Sequence, residues 1–250
     1  MSLNVNGRFA RNAGYALHVM TASGAVVGML ALQAVINDNI HAALVWLVIS
    51  QILDGLDGPI ARKFDVPLTA PRVDGHILDL VVDYVTCVVV PIAFMNHFLM
   101  LPSHSETLLA GSMFLFSALW FARTDLETDD HWFNGFPAAW NLAVPTLLLA
   151  HTSTAQVAII CGVLCASQLT NFKMPHIVRS PQLRSITLPF GIIYLANLTY
   201  LSVTYTNSGD NNLTWLTGGI LFGFPIYVFA ISIWRTFIYR ETPGELSLNA

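Results

Sequence analysis

The feature that most constrains the fold of this chain is a series of long stretches without a charged residue. Residues 12–37 contain no Asp, Glu, Lys or Arg, and neither do residues 131–172. A helix that spans a membrane needs about 20 consecutive apolar residues, so the second stretch has room for two spans, divided by the polar residues 151–154. The pattern predicts an all-α, polytopic membrane protein.

Eight such windows account for most of the chain, and they leave no separate soluble domain. We therefore expect a single integral-membrane domain over residues 1–250 with about eight transmembrane helices. The windows are residues 12–37, 39–53, 76–101 (with Asp79 and Asp83 as its only charges), 107–122, two within 131–172, one between 184 and 210, and one between 211 and 234.

Composition excludes the other broad classes of protein. Only 10% of the residues are charged, against about 25% in an ordinary soluble domain, and 54% are apolar, which also excludes disorder. The formal net charge of −4 offers no basic excess, so we expect no nucleic-acid partner.

The positions of the cations predict the orientation in the membrane. When eight helices are threaded, all 11 Lys and Arg residues fall on one side, while Asp38, Glu106 and Asp210 fall on the other. The positive-inside rule makes the first side cytoplasmic and places both termini there. The cations are Arg8, Arg11, Arg62, Lys63, Arg72, Arg123, Lys173, Arg179, Arg184, Arg235 and Arg240.

Two pairs of glycines four residues apart allow close approach of helices. Gly24 with Gly28, and Gly219 with Gly223, favour packing within the chain, and a homodimer face is the alternative.

Four aspartates interrupt the second and third windows at helical spacing. Asp54 and Asp57 are three residues apart, and Asp79 and Asp83 are four apart, so each pair shares one helix face. Because the two helices run in opposite directions, the four carboxylates should meet at similar depths near the cytoplasmic interface. Carboxylates inside a membrane are costly and indicate function.

A divalent cation would relieve the repulsion within this group of carboxylates. Each like-charge pair at about 4 Å costs roughly 4 kcal/mol at an effective dielectric constant of 20. An all-oxygen ligand set suits Mg²⁺ or Mn²⁺, and two ions together would serve phosphoryl transfer. Gly58 and Ala61 leave room for a nucleotide to approach, and Arg62 offers a planar fork to a phosphate.

The arrangement Asp54-x2-Asp57-Gly58-x2-Ala61-Arg62 followed by Gly75-x3-Asp79-x3-Asp83 resembles the signature of the CDP-alcohol phosphatidyltransferase family. The resemblance implies a six-helix catalytic core and transfer of a phosphatidyl group from CDP-diacylglycerol to an alcohol, with release of CMP. It also implies roles for individual residues. Asp54, Asp57 and Asp79 would bind metal, Asp83 would be the general base and a possible further ligand, and the nucleotide would contact Asp54, Gly58, Ala61, Arg62 and Gly75.

One departure from the common family pattern suggests the acceptor alcohol. Twelve residues separate Arg62 from Gly75, more than the usual seven to nine. This longer insert resembles the bacterial branch of the family that uses choline, as do Pro59, the residues 83–91 and the motif of residues 133–141. That likeness implies an enzyme of phospholipid biosynthesis in the bacterial inner membrane, with its active site facing the cytoplasm.

For several residues the sequence allows two interpretations of their role. Arg72, Arg179 and Arg184 either contact the donor phosphates or anchor helices at anionic lipid. The aromatic rings of Tyr84, Trp120 and Trp140 either surround the quaternary ammonium of choline or belong to an interfacial aromatic belt.

Two other functions compete with a choline-specific transferase. The acceptor could be another alcohol, such as inositol, serine or glycerol phosphate. A transporter of divalent cations could also use four aspartates, although these helices lack a polar path through their outer halves.

Overall fold

A computed structural model describes residues 7–206, 209 and 212–239 of the chain. Asp210 and Arg240, which entered the threading argument, lie outside these residues, as do both ends of the chain. The described part is mostly helical. Its helices are α1 (Arg8–Ile36), α2 (Ile40–Lys63), α3 (Val66–Thr69), α4 (Gly75–Asp83), α5 (Val90–His97), α6 (Glu106–Phe121), α7 (Trp140–Leu149), α8 (Thr154–Gln168), α9 (Arg184–Thr204) and α10 (Trp215–Ile233).

Within the part of the chain that the structure describes, five continuous helical segments are long and apolar enough to cross a membrane. They are Arg11–Ile36, Ile40–Lys63, Gly75–His97, Arg184–Thr204 and Trp215–Ile238. Three further apolar helices, α6, α7 and α8, have 16, 10 and 15 residues. Each predicted window thus holds a helix, but among the described residues only five reach spanning length. The long window over residues 131–172 is partly used for other structure, and α6 in the window 107–122 has only 16 residues.

The third spanning segment contains a π-helical stretch, Tyr84–Val89, between α4 and α5. Pro91 follows it, and proline has no N–H to donate and crowds the carbonyl four residues earlier. The wider turn accommodates this, since the N–H of Val90 donates to the carbonyl of Val85. Such stretches occur frequently at functional sites, and this one begins directly after Asp83.

A short two-stranded sheet corrects the all-α expectation. Strand β1 (Trp132–Asn134) pairs antiparallel with β2 (Lys173–Pro175), with Phe133 opposite Met174. Gly135 ends β1 with φ of +83° and donates its N–H to the carbonyl of Phe172 at 2.7 Å. The absence of charge over residues 131–172 concealed β1, and β2 begins at the first residue after that stretch.

Helix α1 packs closely on the third spanning segment through its glycines. A Cβ on Gly24 would lie 2.7 Å from Cγ1 of Val82, and one on Gly28 would lie 3.2 Å from Cγ1 of Val85. The expected intramolecular use of this pair is confirmed. A Cβ on Gly219 would meet no described atom within 4 Å.

The two ends of the helix bundle differ in charge. One end, here called the basic end, carries Arg62, Arg123, Lys173, Arg179 and Arg235. It is covered by a cap, residues 123–136 and 170–184, which contains the sheet.

Hydrogen bonds hold the cap together and attach it to the last helix. Arg123 donates to the carbonyls of Gln168 and Thr170 at 2.9 and 2.8 Å. Arg235 pairs with Asp130 at 2.8 Å. The opposite end of the bundle holds the Asp38–His97 pair at 2.7 Å.

Candidate active site

The four aspartates predicted from the sequence meet where α2 lies beside α4. Carboxylate oxygens of Asp54, Asp57 and Asp79 lie within 4.8 Å of one another. Asp83 lies one turn further along the same face as Asp79, and its carboxyl group is within hydrogen-bonding reach of Asp54. Two antiparallel helices thus present their acidic faces to one another, as the i, i+3 and i, i+4 spacing requires.

All four carboxylates line one small cavity of about 10 Å³. That volume is about what a single water-sized occupant needs. Helix α1 closes the cavity with Thr21 and Gly24, and the third spanning segment contributes Val82 and Thr86. The close approach that Gly24 permits therefore forms one wall of the site.

Two uncharged side chains orient the acidic cluster, and sequence reasoning missed both. Thr21 donates from Oγ1 to Oδ2 of Asp57 at 2.8 Å, and Gln51 donates from Nε2 to Oδ2 of Asp54 at 3.2 Å. Thr21 lies on α1, in a window that contains no charge, so nothing in the sequence separated it from ordinary membrane-helix threonines. Gln51 was detectable in principle, because it lies three residues before Asp54 on the same helix face.

The donor set fits a hard divalent cation. Among the described residues, no Lys or Arg forms an ion pair with any of the four aspartates. Three carboxylates this close together repel one another strongly when ionised. The available ligand atoms are all oxygens, which Mg²⁺ and Mn²⁺ prefer, and neither Cys nor His is part of the cluster.

Arg62 and Gly58 lie together at the basic end of α2. The Arg62 guanidinium folds back over the glycine, with Nη1 3.3 Å from the place where a Cβ on Gly58 would lie. A larger residue at position 58 would push this guanidinium away. Ala61 lies three residues after Gly58 on the same face of α2, and its small side chain leaves space there.

Gly75 meets the protein itself at its α-carbon. A Cβ there would lie 3.2 Å from Cε1 of His18, a buried residue of α1 whose Nε2 is 3.3 Å from the carbonyl of Ala70. The observed contact of Gly75 is thus with α1, and a nucleotide contact there stays a prediction.

The three arginines that were predicted to contact the donor phosphates lie in different surroundings. Arg72 and Arg184 are exposed, in the loop before α4 and at the start of α9. Arg179 donates from Nη1 to Oε2 of Glu127 at 3.1 Å and is thereby partly neutralised. The structure brings none of the three into the carboxylate cluster.

The three aromatic residues that were predicted to contact choline also lie in different surroundings. Tyr84 is partly exposed and donates its hydroxyl to the carbonyl of Phe114 at 3.2 Å. Trp120 is buried and donates Nε1 to the carbonyl of Asn134, and Trp140 is fully buried and donates Nε1 to Oγ of Ser117. Of these three rings, Tyr84 alone is open to a ligand.

Comparison with known proteins decides the family. A family model described as CDP-alcohol phosphatidyltransferase matches residues 16–171, which include the whole acidic cluster. The chain belongs to this family. The family prediction is confirmed, and the matched residues hold the first six of the eight apolar helices.

Three relatives of this phosphatidyltransferase are named phosphatidylcholine synthase. The phosphatidylcholine synthase of Pseudomonas aeruginosa is 34% identical over 89% of this chain and 91% of its own. That of Bradyrhizobium diazoefficiens is 38% identical over 71% of this chain and 67% of its own. That of Agrobacterium fabrum is 30% identical over 87% of this chain and 94% of its own.

Proposed function

We propose that this phosphatidyltransferase is a phosphatidylcholine synthase, which transfers the phosphatidyl group of CDP-diacylglycerol to choline and releases CMP. The observation that carries the proposal is the cluster of Asp54, Asp57 and Asp79 with Asp83 beside it, in a chain whose relatives bear that name. A cluster of this kind on membrane helices serves a donor that carries both a diphosphate and lipid tails.

The metal site consists of Asp54, Asp57 and Asp79, with Asp83 as a possible further ligand. Mn²⁺ or Mg²⁺, as two ions, would neutralise the diphosphate and polarise its phosphorus when bound there. The hydrogen bonds from Thr21 and Gln51 orient the carboxylates for this task, since such outer partners determine ligand geometry.

Asp83 acts as the general base in this proposal. Its carboxylate takes the proton of the choline hydroxyl, and the choline oxygen forms a bond to the β-phosphorus of CDP-diacylglycerol. The bond between that phosphorus and the bridging oxygen breaks, and the electron pair leaves on CMP. Asp83 lies next to Asp54 and is partly exposed, so an incoming hydroxyl can reach it.

The cytidine diphosphate is held at the basic end of α2. Arg62 swings from above Gly58 to meet a phosphate. The small side chain of Ala61 leaves room for the nucleotide, and a further contact of the nucleotide at Gly75 is part of the proposal. The exposed Arg72 and Arg184 are free to follow the donor headgroup or anionic lipid, whereas Arg179 would have to leave Glu127 to do so.

The proposed setting is the inner membrane of a bacterium, with the basic end facing the cytoplasm. The charge difference between the two ends supports this orientation by the positive-inside rule. The lipid donor then arrives within the bilayer, and choline arrives from water. A homodimer would use a surface other than Gly24 and Gly28, which already contact Val82 and Val85.

A panel of acceptor alcohols tests the reaction. Purified protein in detergent or nanodiscs, with CDP-diacylglycerol and Mn²⁺, should release CMP with choline and stop when EDTA removes the ion. Release with inositol, serine or glycerol phosphate but not with choline would assign a different acceptor within the same family.

A transporter of divalent cations is the alternative from another class. The cluster is confined to the basic end, and its cavity of about 10 Å³ is too small for a continuous pathway. Proteoliposomes without CDP-diacylglycerol should therefore take up no Mn²⁺. Uptake that is independent of the lipid would contradict the assignment as a transferase.

A further inference from the structure

A continuous series of aromatic rings leads from the acidic cluster to the cap. Tyr84, the residue after Asp83, meets Phe121 edge-to-face with ring centroids 5.9 Å apart. Phe121 meets Trp120 at 5.1 Å, and Trp120 meets Phe133 at 5.7 Å, both edge-to-face.

The series ends at a histidine of the cap. Phe133 of β1 stacks on the imidazole of His176, with ring centroids 5.2 Å apart and an interplanar angle of 17°. The rings therefore connect the π-helical stretch after α4, the end of α6, β1 and the segment after β2.

Hydrogen bonds fix the orientation of two of these rings, Tyr84 and Trp120, and most rings of the series keep part of their surface open. Tyr84 is held through its hydroxyl by the carbonyl of Phe114, and Trp120 through Nε1 by the carbonyl of Asn134. Trp120 is 3% exposed, whereas Tyr84, Phe121, Phe133 and His176 are all partly exposed. Because their orientation is determined before any ligand arrives, the open faces are preorganised.

The charges around the wall suit a cation once the donor is bound. Burial and the nearby positive charges of Arg179 and Arg62 lower the pKa of His176 to about 4, so its imidazole is neutral at physiological pH. Its Nδ1 accepts the N–H groups of Val178 and Arg179, both at 3.3 Å, which also keeps that nitrogen unprotonated. Arg179 is paired with Glu127, and a donor diphosphate would neutralise Arg62.

We propose that Phe121, Phe133 and His176, together with Tyr84, form the wall that recognises the quaternary ammonium group of choline. The inference rests on the proposed function and adds the residues that select the acceptor. A trimethylammonium group binds aromatic faces within about 6 Å of the ring centroid and offers no hydrogen-bond donor. Tyr84 directly follows Asp83 in the chain, and the charge of Arg62 acts on His176, so both ends of the series lie near the proposed site. In this proposal a choline seated on the wall directs its hydroxyl toward Asp83.

A simple aromatic belt at the membrane interface does not account for this arrangement. Belt residues act singly, each with its polar edge in the headgroup region. Here four successive ring pairs are in contact, and two of the rings belong to the cap rather than to a membrane helix.

Substitutions that remove aromatic faces test the wall. The variants are Phe121→Leu and Phe133→Leu, and the matched control is Phe98→Leu at the opposite end of the bundle, where Phe98 packs on Phe94. CMP release gives the KM for choline and for CDP-diacylglycerol. A second measurement is the inhibition constant of 3,3-dimethyl-1-butanol, the uncharged carbon analogue of choline.

If the wall binds choline, these variants should lose affinity selectively for the cationic acceptor. The choline KM should rise about 5- to 30-fold in both variants, equivalent to about 1–2 kcal/mol. The KM for CDP-diacylglycerol and the inhibition constant of the uncharged analogue should change much less, and the control should match the parent protein. An unchanged choline KM, or an equal loss of choline and the analogue, would overturn the proposal and leave the synthase assignment intact.

A fluorinated ring provides a second test that remains valid if a leucine variant folds poorly. Trifluorophenylalanine at position 121 or 133 keeps the ring and weakens its negative face. The choline KM should rise with the degree of fluorination, and a flat series would contradict the wall. If the parent protein uses another alcohol and never choline, the proposed function itself fails, and the wall fails with it.

Discussion

At the scale of residues, the acidic cluster depends on neutral donors as much as on the aspartates. Asp57 and Asp54 each accept a hydrogen bond from an uncharged side chain, Thr21 and Gln51 respectively. A carboxylate held in this way keeps one orientation with or without an ion, which lowers the cost of binding the metal.

Replacing Thr21 by valine tests this support. The change keeps the shape of the side chain and removes the hydroxyl that bonds Asp57. We expect a loss of about 10- to 100-fold in apparent Mn²⁺ affinity, measured as the Mn²⁺ dependence of CMP release. Thr21→Ser should restore it, and the same Mn²⁺ dependence in Thr21→Val as in the parent would rule out the supporting role.

Asp83→Asn removes the proposed base and keeps the volume of the side chain. Turnover of CMP should fall by about 10²- to 10⁴-fold, because the choline proton then has no acceptor. Asp65→Asn, in the exposed loop after α2, is the matched control. If Asp83 also binds a metal, the variant will lose the stabilisation by Mn²⁺ along with turnover, and near-normal turnover would refute the assignment as base.

His176 gives the cap a pH dependence with a definite sign. Its pKa is lowered to about 4, so between that value and about 6.5 the unfolded chain binds more protons than the folded one. The associated stability, about 1–3 kcal/mol, is present above pH 6.5 and lost as the pH falls toward 4.

The variant His176→Phe keeps a ring on Phe133 and cannot titrate. Thermal unfolding between pH 7 and pH 4.5 should then show a smaller fall in Tm than in the parent protein. His104→Phe, at an exposed site outside the cap, serves as the control. Equal pH profiles for the parent and His176→Phe would contradict the prediction.

At the scale of elements, the contact between α1 and the third spanning segment determines the shape of the site. Thr21 and Gly24 lie one turn apart on α1. The close contact of α1 at Gly24 therefore brings Thr21 within reach of Asp57. A one-carbon addition at position 24 would therefore affect both packing and catalysis.

Gly24→Ala should destabilise the protein by about 1–3 kcal/mol, since the new Cβ would lie 2.7 Å from Val82 and force the helices apart. CMP release should fall as well. Gly162→Ala on α8 is the control, because no described atom lies within 4 Å of its added Cβ. Thermal unfolding and turnover are the measurements, and equal behaviour of the two variants would contradict the role given to α1.

The same elements show what the sequence could reveal. The positions of the helices and the acidic cluster were predictable, because charge is costly in a membrane and helical spacing dictates which aspartates share a face. The β1–β2 pair was not predictable, since β1 lies within an uncharged stretch that is also typical of membrane helices and β2 is a strand of only three residues that begins directly after it. Thr21 escaped notice for a related reason, because its partner Asp57 lies on another helix and only the packing brings them together.

At the scale of the whole molecule, the site joins parts of the chain that would otherwise repel one another. Asp54 and Asp57 on α2 face Asp79 across the cluster, so a bound cation would tie α2 to α4. Metal binding should therefore stabilise the entire bundle as well as activate it.

Mn²⁺ should raise the Tm of the intact protein, by an amount that corresponds to about 2.7 kcal/mol when its concentration is 100-fold above Kd. EDTA should reverse the rise. Asp79→Asn should abolish it and Asp65→Asn should retain it. A rise that survives in Asp79→Asn would place the stabilising ion outside the cluster.

Helix α7 has ten residues and is therefore about 15 Å long, half the roughly 30 Å hydrocarbon thickness of a bilayer. The chain just before it, which includes the buried Phe136 and Ala138, is enclosed by protein as well. None of the ten residues of α7 is exposed, so its short length is matched to the protein that surrounds it and not to the thickness of the lipid.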